Sequence, residues 1–184
     1  HLSICLFGML VVICLTIGNV GLAASTDSIS NDQGARVELA KLLDQAEGLR
    51  REGEAAEAAG VYRQALTLAE RAFGPNHTMV AVVLNGMEQV LSGLGRVDEA
   101  ALASERALGI AEGVLGADNP DIAPYLNNLA ALRHAQKREA EAQTLYRRAI
   151  ATAEAVLGPG DVRIAVALNN LGGYFHERGE FAAA

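Results

Sequence analysis

The chain repeats itself every 42 residues, and this period constrains its fold more than any other feature of the sequence. The pair Leu-Asn at 84–85 recurs at 126–127 and 168–169. A fixed period of this length is typical of a stacked array, in which each unit buries its apolar face against its neighbours. We therefore expect function on the surface that the stack creates.

Each period contains two stretches with apolar residues at three- and four-residue steps, which predicts a pair of helices. We call the first of each pair helix A and the second helix B. Helix A is predicted over 35–51, 78–93, 121–136 and 162–178, and helix B is clearest over 96–114 and 138–156. The sequence therefore predicts an all-α fold from residue 35 onward.

Punctuation between the helices follows the same period. Tight turns within the units are predicted at Gly53, Gly95, Lys137 and Gly179. Between units, His77, Asn119 and Asp161 occupy equivalent positions and are expected at helix starts. Because proline removes a helical hydrogen bond, Pro124 predicts that the third helix A begins nearer Asp121 or Ile122 than Pro120.

Composition agrees with a helical array and argues against some partners. Of the 184 residues, 51% are hydrophobic and only 4% are aromatic, with no Trp, which fits Ala- and Leu-rich helices better than a β-sandwich. The formal net charge is −7, so the chain lacks the basic surface that binding to phosphates requires. Nucleic acid is not expected as a partner.

The first 24 residues differ from the rest. Residues 2–24 carry no charge and end in small residues, which predicts a secretory signal peptide or an uncleaved membrane anchor, with a buried helix as the third possibility. The chain starts at His1 without preceding basic residues, so we expect that its true amino terminus is missing. Both cysteines, Cys5 and Cys14, lie in this segment, and its removal would exclude disulfides. Residues 25–34 are polar and are predicted to be a linker.

Three motifs narrow the array to a family. Residues 126–130 read Leu-Asn-Asn-Leu-Ala, residues 145–150 read Leu-Tyr-Arg-Arg-Ala-Ile, and residues 157–159 read Leu-Gly-Pro. Over 35–184 this combination resembles the long tetratricopeptide repeat (TPR) of the kinesin light chain type; a HEAT or armadillo array is the alternative. The resemblance implies a right-handed superhelical α-solenoid of antiparallel helix pairs. It also implies about three full repeats plus helix A of a fourth. The uncharged run in residues 2–24 is expected to precede the array as an N-terminal apolar helix.

The third unit departs from the family pattern. Arg133, Lys137 and Glu139 stand where this repeat usually has an aromatic residue, a glycine and another aromatic residue.

The resemblance also implies a binding site, because helix A lines the concave groove of TPR arrays. The groove positions carried over as partner-binding candidates are Asn85, Gln89, Asn127, His134, Asn169 and His176. The three asparagines could pair with the backbone of an extended protein or peptide partner, since a carboxamide both donates and accepts. Alternatively, they bond to the neighbouring helix and only hold the repeats together.

Other polar groups carry weaker signals. His134 and His176 are one period apart and could bind metal or sense pH, but no carboxylate or Cys at ligand spacing accompanies them, so no metal site is predicted. They are interpreted as polar groove residues. Arg50 and Arg51 could attract an acidic peptide terminus.

The sequence contains no recognisable catalytic or cofactor motif. Glu70, Glu112 and Glu154 recur with the repeat, which predicts a solvated helix face rather than a paired acid and base. The chain is therefore expected to be a non-enzymatic scaffold without a cofactor.

The final residues, 181–184, fall where each earlier unit begins helix B, so we expect the chain to be truncated. Two functions remain open. The first is an exported or membrane-anchored TPR scaffold that binds a protein or peptide in its groove. The second is the recognition segment of a larger enzyme, for example a CHAT-type protease.

Overall fold

The computed structural model describes the backbone of residues 19–157, 168–169 and 172, and the side chains of residues 33–154, 168, 169 and 172. Every regular element in these residues is helical, which confirms the predicted fold class. The elements are α1 (Asn19–Glu52), α2 (Ala55–Phe73), α3 (Thr78–Gly93), α4 (Val97–Leu115), a 3₁₀ turn (Pro120–Ile122), α5 (Ala123–Ala135) and α6 (Glu139–Leu157). Helices α1, α3 and α5 are helices A, and α2, α4 and α6 are helices B.

The helix bounds follow the predictions closely from residue 39 onward. Helix α3 matches its predicted range, and α4 and α6 each begin and end one residue later than predicted. Residues 168, 169 and 172 are helical, as predicted for the fourth helix A. The remainder of that helix, with Gly179, lies outside the described residues.

The predictions for the amino-terminal residues agree less well with the structure. The stretch 25–34, predicted to be a linker, belongs to helix α1, which begins at Asn19. Serine, threonine, asparagine and aspartate each disfavour a helix by about 0.5 kcal/mol and Gly34 does so by about 1 kcal/mol, but the stretch contains no proline to end a helix. The apolar helix predicted within residues 1–24 falls largely on residues 1–18, which lie outside the described part. Among the described helices, none is long and apolar enough to cross a membrane.

The turns within the first three units lie at the predicted positions. Gly53 and Gly95 have φ angles of 88° and 73°, and Lys137 takes the equivalent place in the third unit with φ of 62°. A side chain in this left-handed region costs about 1 kcal/mol, so Lys137 is strained where the other described units have glycine.

The helix starts predicted at His77 and Asn119 also follow the sequence, while Asp161 lies outside the described residues. The His77 Nδ1 atom accepts a hydrogen bond from the Met79 amide at 3.1 Å, and Asn119 Oδ1 accepts one from the Asp121 amide at 2.8 Å. The segment from Pro120 to Ile122 forms a 3₁₀ turn, and α5 begins at Ala123 with Pro124 in its first turn. The expected shift of this helix start away from Pro120 is therefore confirmed.

Consecutive helices pack on one another from α2 to α6, and from Leu39 onward the described helices form one compact unit. Small residues make the contacts close: Ala58, Ala65, Ala107 and Ala149 are almost completely buried. Leu39 and Ala46 of α1 share a hydrophobic cluster with Ala58 of α2. The apolar stripes predicted from the 42-residue period are thus the core of the array.

The second unit breaks the period inside this core. Tyr62 and Tyr146 are buried at equivalent positions of the first and third helices B, where the second unit has Ser104. Conversely, Ala46 and Ala130 are buried at equivalent positions of helices A, where the second unit has Glu88. A large residue on helix A thus accompanies a small one on helix B, and the junction between the second and third units becomes polar.

Candidate partner-binding site

The six candidate groove residues differ in exposure. On α3, Asn85 is half-buried and Gln89 is exposed; on α5, Asn127 is 8% exposed and His134 is half-buried. Asn169 is exposed. His176 lies outside the described residues, so its predicted place remains a prediction. The three asparagines therefore share a register but not an environment.

Asn85 takes part in a polar contact between two units. Its Oδ1 accepts a hydrogen bond from Nδ2 of Asn128 on α5 at 2.9 Å, and the same nitrogen lies 3.4 Å from Oε2 of Glu88. This contact supports the second interpretation of the asparagines, in which they bond to a neighbouring helix, at this one position. Asn85 Nδ2 donates to no side chain within the described residues, so the amide retains a donor that a ligand could use.

His134 has a carboxylate partner that the sequence did not suggest. Its Nδ1 lies 2.9 Å from Oε2 of Glu139, which begins α6. The sequence spacing did not reveal this contact, because the turn at Lys137 folds a residue five positions ahead back onto the imidazole. Within the described residues no group of three or more potential ligands is placed to hold a metal ion.

The two arginines at the end of α1 are engaged within the protein. Arg50 donates to Oε2 of Glu47 through Nε at 2.9 Å and through Nη2 at 2.8 Å, and Arg51 Nε donates to the Glu47 carbonyl oxygen at 3.2 Å. The other carboxylate oxygen of Glu47 accepts from the Tyr62 hydroxyl at 2.6 Å. Hydrogen bonds from Arg50 and Tyr62 hold the pKa of the Glu47 carboxyl below its usual range. An acidic ligand would have to compete with Glu47 for Arg50.

A buried arginine network joins the second and third units. The Arg133 side chain is 6% exposed and contacts the carboxylates of Glu105 on α4 and Glu141 on α6, the second at 3.4 Å from its Nε. Its Nη1 also donates to Gln136 Oε1 at 2.7 Å. Burial and the nearby charge of Arg138 lower the pKa of the Arg133 guanidinium, and the Glu141 charge offsets this in part. The departure of Arg133 from the family pattern is therefore a buried cation between two carboxylates.

A second pair of arginines links successive helices B. Arg106 Nη1 lies 2.5 Å from Glu70 Oε1, and Arg106 Nη2 donates to the Pro75 carbonyl oxygen at 3.2 Å. One period later, Arg148 Nη1 lies 2.6 Å from Glu112 Oε1, and its Nη2 donates to the Ala117 carbonyl oxygen at 3.1 Å. We call each arrangement a helix B clasp.

The clasps correct one prediction. Glu70 and Glu112 were expected on a freely solvated face, but each is half-buried and paired with an arginine from the next unit. The signal that could have revealed them is present in the sequence: Arg106 and Arg148 follow Glu70 and Glu112 by 36 residues, just less than one period.

An uncharged surface on helices A lies near the candidate residues. Val82 and Gln89 on α3 are exposed, Val82 to 46%, and their period equivalents Pro124 and Ala131 on α5 are exposed as well. We call these four residues the helix A face. Because residues one period apart occupy equivalent positions in adjacent units, the face continues from the second unit to the third.

Comparison with known proteins identifies the class of fold. The family model for the tetratricopeptide repeat matches residues 38–113, 92–155 and 121–184. The chain therefore belongs to the tetratricopeptide repeat family, rather than to a HEAT or armadillo family. TPR arrays are typically non-catalytic scaffolds that bind proteins or peptides.

Solved structures specify the kind of TPR. The chain is similar to BtubC (BKLC) from P. vanneervenii, with a TM-score of 0.73 and 22% identity over 82% of this chain and 60% of that one. It is also similar to a kinesin light chain-like protein of Podosopora anserina with nearly identical TPR-like repeats, with a TM-score of 0.68 and 17% identity over 77% of this chain and 67% of that one. No curated protein matches the sequence significantly. The neighbours confirm the resemblance to kinesin light chain-type repeats, and at these identities they establish the fold alone.

Proposed function

We propose that this array is a protein-protein interaction scaffold that binds an extended segment of its partner along the helix A face. The observation that carries the proposal is the continuity of four exposed, uncharged side chains across two units: Val82, Gln89, Pro124 and Ala131. Such a surface can contact apolar side chains of a partner without first breaking an ion pair. Nearby charged residues of the second and third units instead pair with one another: Arg133 contacts Glu105 and Glu141, and Arg148 contacts Glu112.

The candidate asparagines would supply polar contacts beside this face. Asn85 retains an amide donor after its bond with Asn128, and Asn169 is exposed, so both could reach the backbone of an extended peptide. Asn127 is buried and contributes to the framework rather than to the surface. The proposed contacts are therefore made by Asn85, Gln89, Asn169 and the apolar members of the helix A face.

A peptide selection tests this proposal without knowledge of the natural partner. Peptides would be selected from a random library on the unmodified chain, and their dissociation constants measured by calorimetry for the Gln89→Arg and Ala131→Arg variants. A new charge on the contact surface should weaken binding at least about tenfold, equivalent to about 1.4 kcal/mol.

Leu102→Arg is the matched control, because Leu102 is 66% exposed on α4, a helix B. It should change the dissociation constant less than about twofold, which is within about 0.4 kcal/mol. Equal losses for all three variants, or no loss for the two helix A variants, would refute the helix A face as the binding surface.

We also propose that the scaffold acts outside the cytoplasm or at a membrane. The uncharged run over residues 2–24, ending in small residues, supports a signal peptide or membrane anchor ahead of an array that occupies 35–184. Expression with a carboxy-terminal tag, followed by fractionation and amino-terminal sequencing, tests this. Cleavage after Ala23 or Ala24 indicates export, an intact membrane-bound chain indicates an anchor, and an intact soluble chain contradicts both.

An alternative function is that of a recognition segment within a larger enzyme, such as a CHAT-type protease. Leu168 favours further packing in this region, because it is 50% exposed whereas its equivalents Leu84 and Leu126 are buried. The chain spans 60% of the length of the P. vanneervenii structure. Sequencing the reading frame beyond Ala184 distinguishes the two functions, since only the alternative requires a catalytic domain there.

A further inference from the structure

Glu88 is a buried carboxyl at the junction between the second and third units. Its side chain is 7% exposed, and the equivalent residues of the neighbouring units are Ala46 and Ala130, both completely buried. The position therefore belongs to the core of each unit. A carboxyl group at such a position must either be paired with a cation or favour its neutral form.

The groups around Glu88 provide polar contact but no charge. Asn128 Nδ2 lies 3.4 Å from Glu88 Oε2 and donates a shorter bond of 2.9 Å to Asn85. At the junction between the first and second units, called the first junction, Tyr62 lies against Gly86. A Cβ atom at Gly86 would fall 2.5 Å from the tyrosine ring. At the second junction, between the second and third units, Ser104 and Asn128 occupy those two positions. The polar core of this junction is built from Glu88, Asn128 and Asn85.

Ionisable residues on the helices packed against α3 are occupied elsewhere or exposed. On α2, Tyr62 bonds to Glu47, Glu70 pairs with Arg106, and Glu57, Arg63 and Arg71 are exposed. On α4, Asp98 accepts from Gln136, Glu99 pairs with Arg96, Glu105 contacts Arg133, and Glu112 pairs with Arg148. On α5, Arg133 contacts Glu105 and Glu141, His134 contacts Glu139, and Tyr125 is half-buried.

Burial without a neighbouring cation changes the proton affinity of Glu88. Desolvation raises the pKa of its carboxyl from 4.5 to about 7, and no charge of either sign contributes to the shift. The carboxyl therefore changes its protonation in the folded protein near neutral pH, whereas in the unfolded chain it is already ionised well below that pH.

We propose that the contact between α3 and α5 is a proton-sensitive joint, closed when Glu88 is neutral and loosened when Glu88 is ionised. A neutral carboxyl can remain among Asn128, Asn85 and the apolar core, while a carboxylate at this depth draws water or moves outward. The inference stands apart from the proposed function, although Asn85 is common to both.

The sign of the effect on stability follows from the two protonation states. Below about pH 4.5 the carboxyl is protonated in both the folded and the unfolded chain, and the folded chain keeps all the stability that a neutral Glu88 allows. Between that pH and about 7 the folded chain holds more protons, so stability falls as pH rises. Above this window both states are ionised, and the loss is complete.

The test compares the pH dependence of thermal unfolding in the unmodified chain and in Glu88→Gln, from about pH 5 to about pH 8. The glutamine keeps the shape of the side chain but cannot titrate. Relative to this variant, the unmodified chain should lose about 5 °C or more in Tm as pH rises. Contributions from the histidines cancel in the difference, and Glu57→Gln, at an exposed position of α2, should show the same pH dependence as the unmodified chain.

Two further measurements locate the effect. Hydrogen exchange corrected for intrinsic pH dependence should show loss of protection in α3 and α5 with rising pH in the unmodified chain only. Carboxyl carbon NMR of the unmodified chain should give a Glu88 titration midpoint near 7. A midpoint below about 5, which is the ordinary range for glutamate, would overturn the proposal even if Glu88→Gln failed to fold. Parallel Tm curves for the unmodified chain and Glu88→Gln would also overturn it.

Discussion

The effects of substituting Arg133 and Glu105 on stability should be strongly coupled. The equivalent residues at the junction between the first and second units are Leu91 and Arg63, so the cation lies on helix B there and on helix A here. At the first junction, Leu91 is buried at the position equivalent to Arg133. The pKa of Glu99 on α4 is lowered mainly by its hydrogen bond from Arg96 and to a smaller extent by the charge of Arg63 on α2. One period later, Arg63 is replaced by Glu105. Two carboxylates, Glu105 and Glu141, then contact the buried guanidinium of Arg133. The double variant Glu105→Arg/Arg133→Leu recreates the first junction at the second.

The size of the coupling can be worked from the contacts. The Arg133 guanidinium contacts the Glu105 carboxylate directly, and two unit charges about 4 Å apart interact by about 4 kcal/mol at an effective dielectric constant of about 20. Both carboxylates are about half exposed, 45% and 49%, which reduces this value by solvent screening. We therefore expect a coupling free energy of about 2 kcal/mol between positions 105 and 133.

Each single variant should be destabilised for its own reason. Arg133→Leu leaves Glu105 without its cation, while Glu141 keeps its ion pair with Arg138, and Glu105→Arg places a second cation beside a buried one. The double variant removes both conflicts, so its free energy of unfolding should exceed the value expected from the sum of the single losses by about 2 kcal/mol.

Urea unfolding followed by circular dichroism measures all four free energies in the double-mutant cycle. The coupling should decrease at high salt, since the carboxylates reach solvent. Arg147→Leu is the control, because Arg147 is exposed on α6 and its loss should change stability by less than about 0.5 kcal/mol. Additivity of the two single variants within about 0.5 kcal/mol would refute the account of Arg133 as a compensating cation.

Three further predictions concern the backbone and the clasps. Gly86→Ala should destabilise the chain by about 1–2 kcal/mol in thermal unfolding, because the new Cβ meets the buried Tyr62 ring at 2.5 Å. The control Gly109→Ala has open space and should raise stability by up to about 1 kcal/mol, and equal effects of the two variants would contradict the contact. Lys137→Gly should raise the free energy of unfolding by about 1 kcal/mol by relieving the left-handed backbone, and Gly95→Lys should lower it similarly; a loss with Lys137→Gly would show that the lysine side chain matters more. Arg148→Gln should cost about 1 kcal/mol at low salt and less at high salt, because its clasp with Glu112 is partly exposed; an effect independent of salt would argue against the ion pair.

Much of the fold could be predicted because the 42-residue period fixes both packing and punctuation. Helices α3, α4 and α6 were predicted to within one residue, and the left-handed turn was placed at Lys137 although it is not glycine. Such features depend on local spacing that recurs in every unit. The polar stretch 25–34 was harder, because poor helix formers without proline permit either a loop or a helix.

The candidate site was less predictable because it depends on pairs of residues in different units. Register places Asn85 and Asn127 alike, but the burial of Asn127 and the bond from Asn128 to Asn85 depend on what the neighbouring helices contribute. The same holds for His134, whose carboxylate partner is brought near by a turn. Arg133 was visible in the sequence as a departure from the family pattern, and a buried charge at an apolar position requires a compensating change nearby. Glu88 was not singled out, although its period equivalents are Ala46 and Ala130.

Site-specific photocrosslinking tests the proposed binding surface most directly. A photoreactive amino acid would be placed in turn at Val82, Gln89 and Ala131 on helices A and at Leu102 on helix B, and each chain would be irradiated with a library-selected peptide. The account predicts crosslinks from the three helix A positions, with contact points that advance along one extended peptide from α3 to α5, and none from position 102. Crosslinks mainly from position 102, or none from the helix A positions, would contradict it.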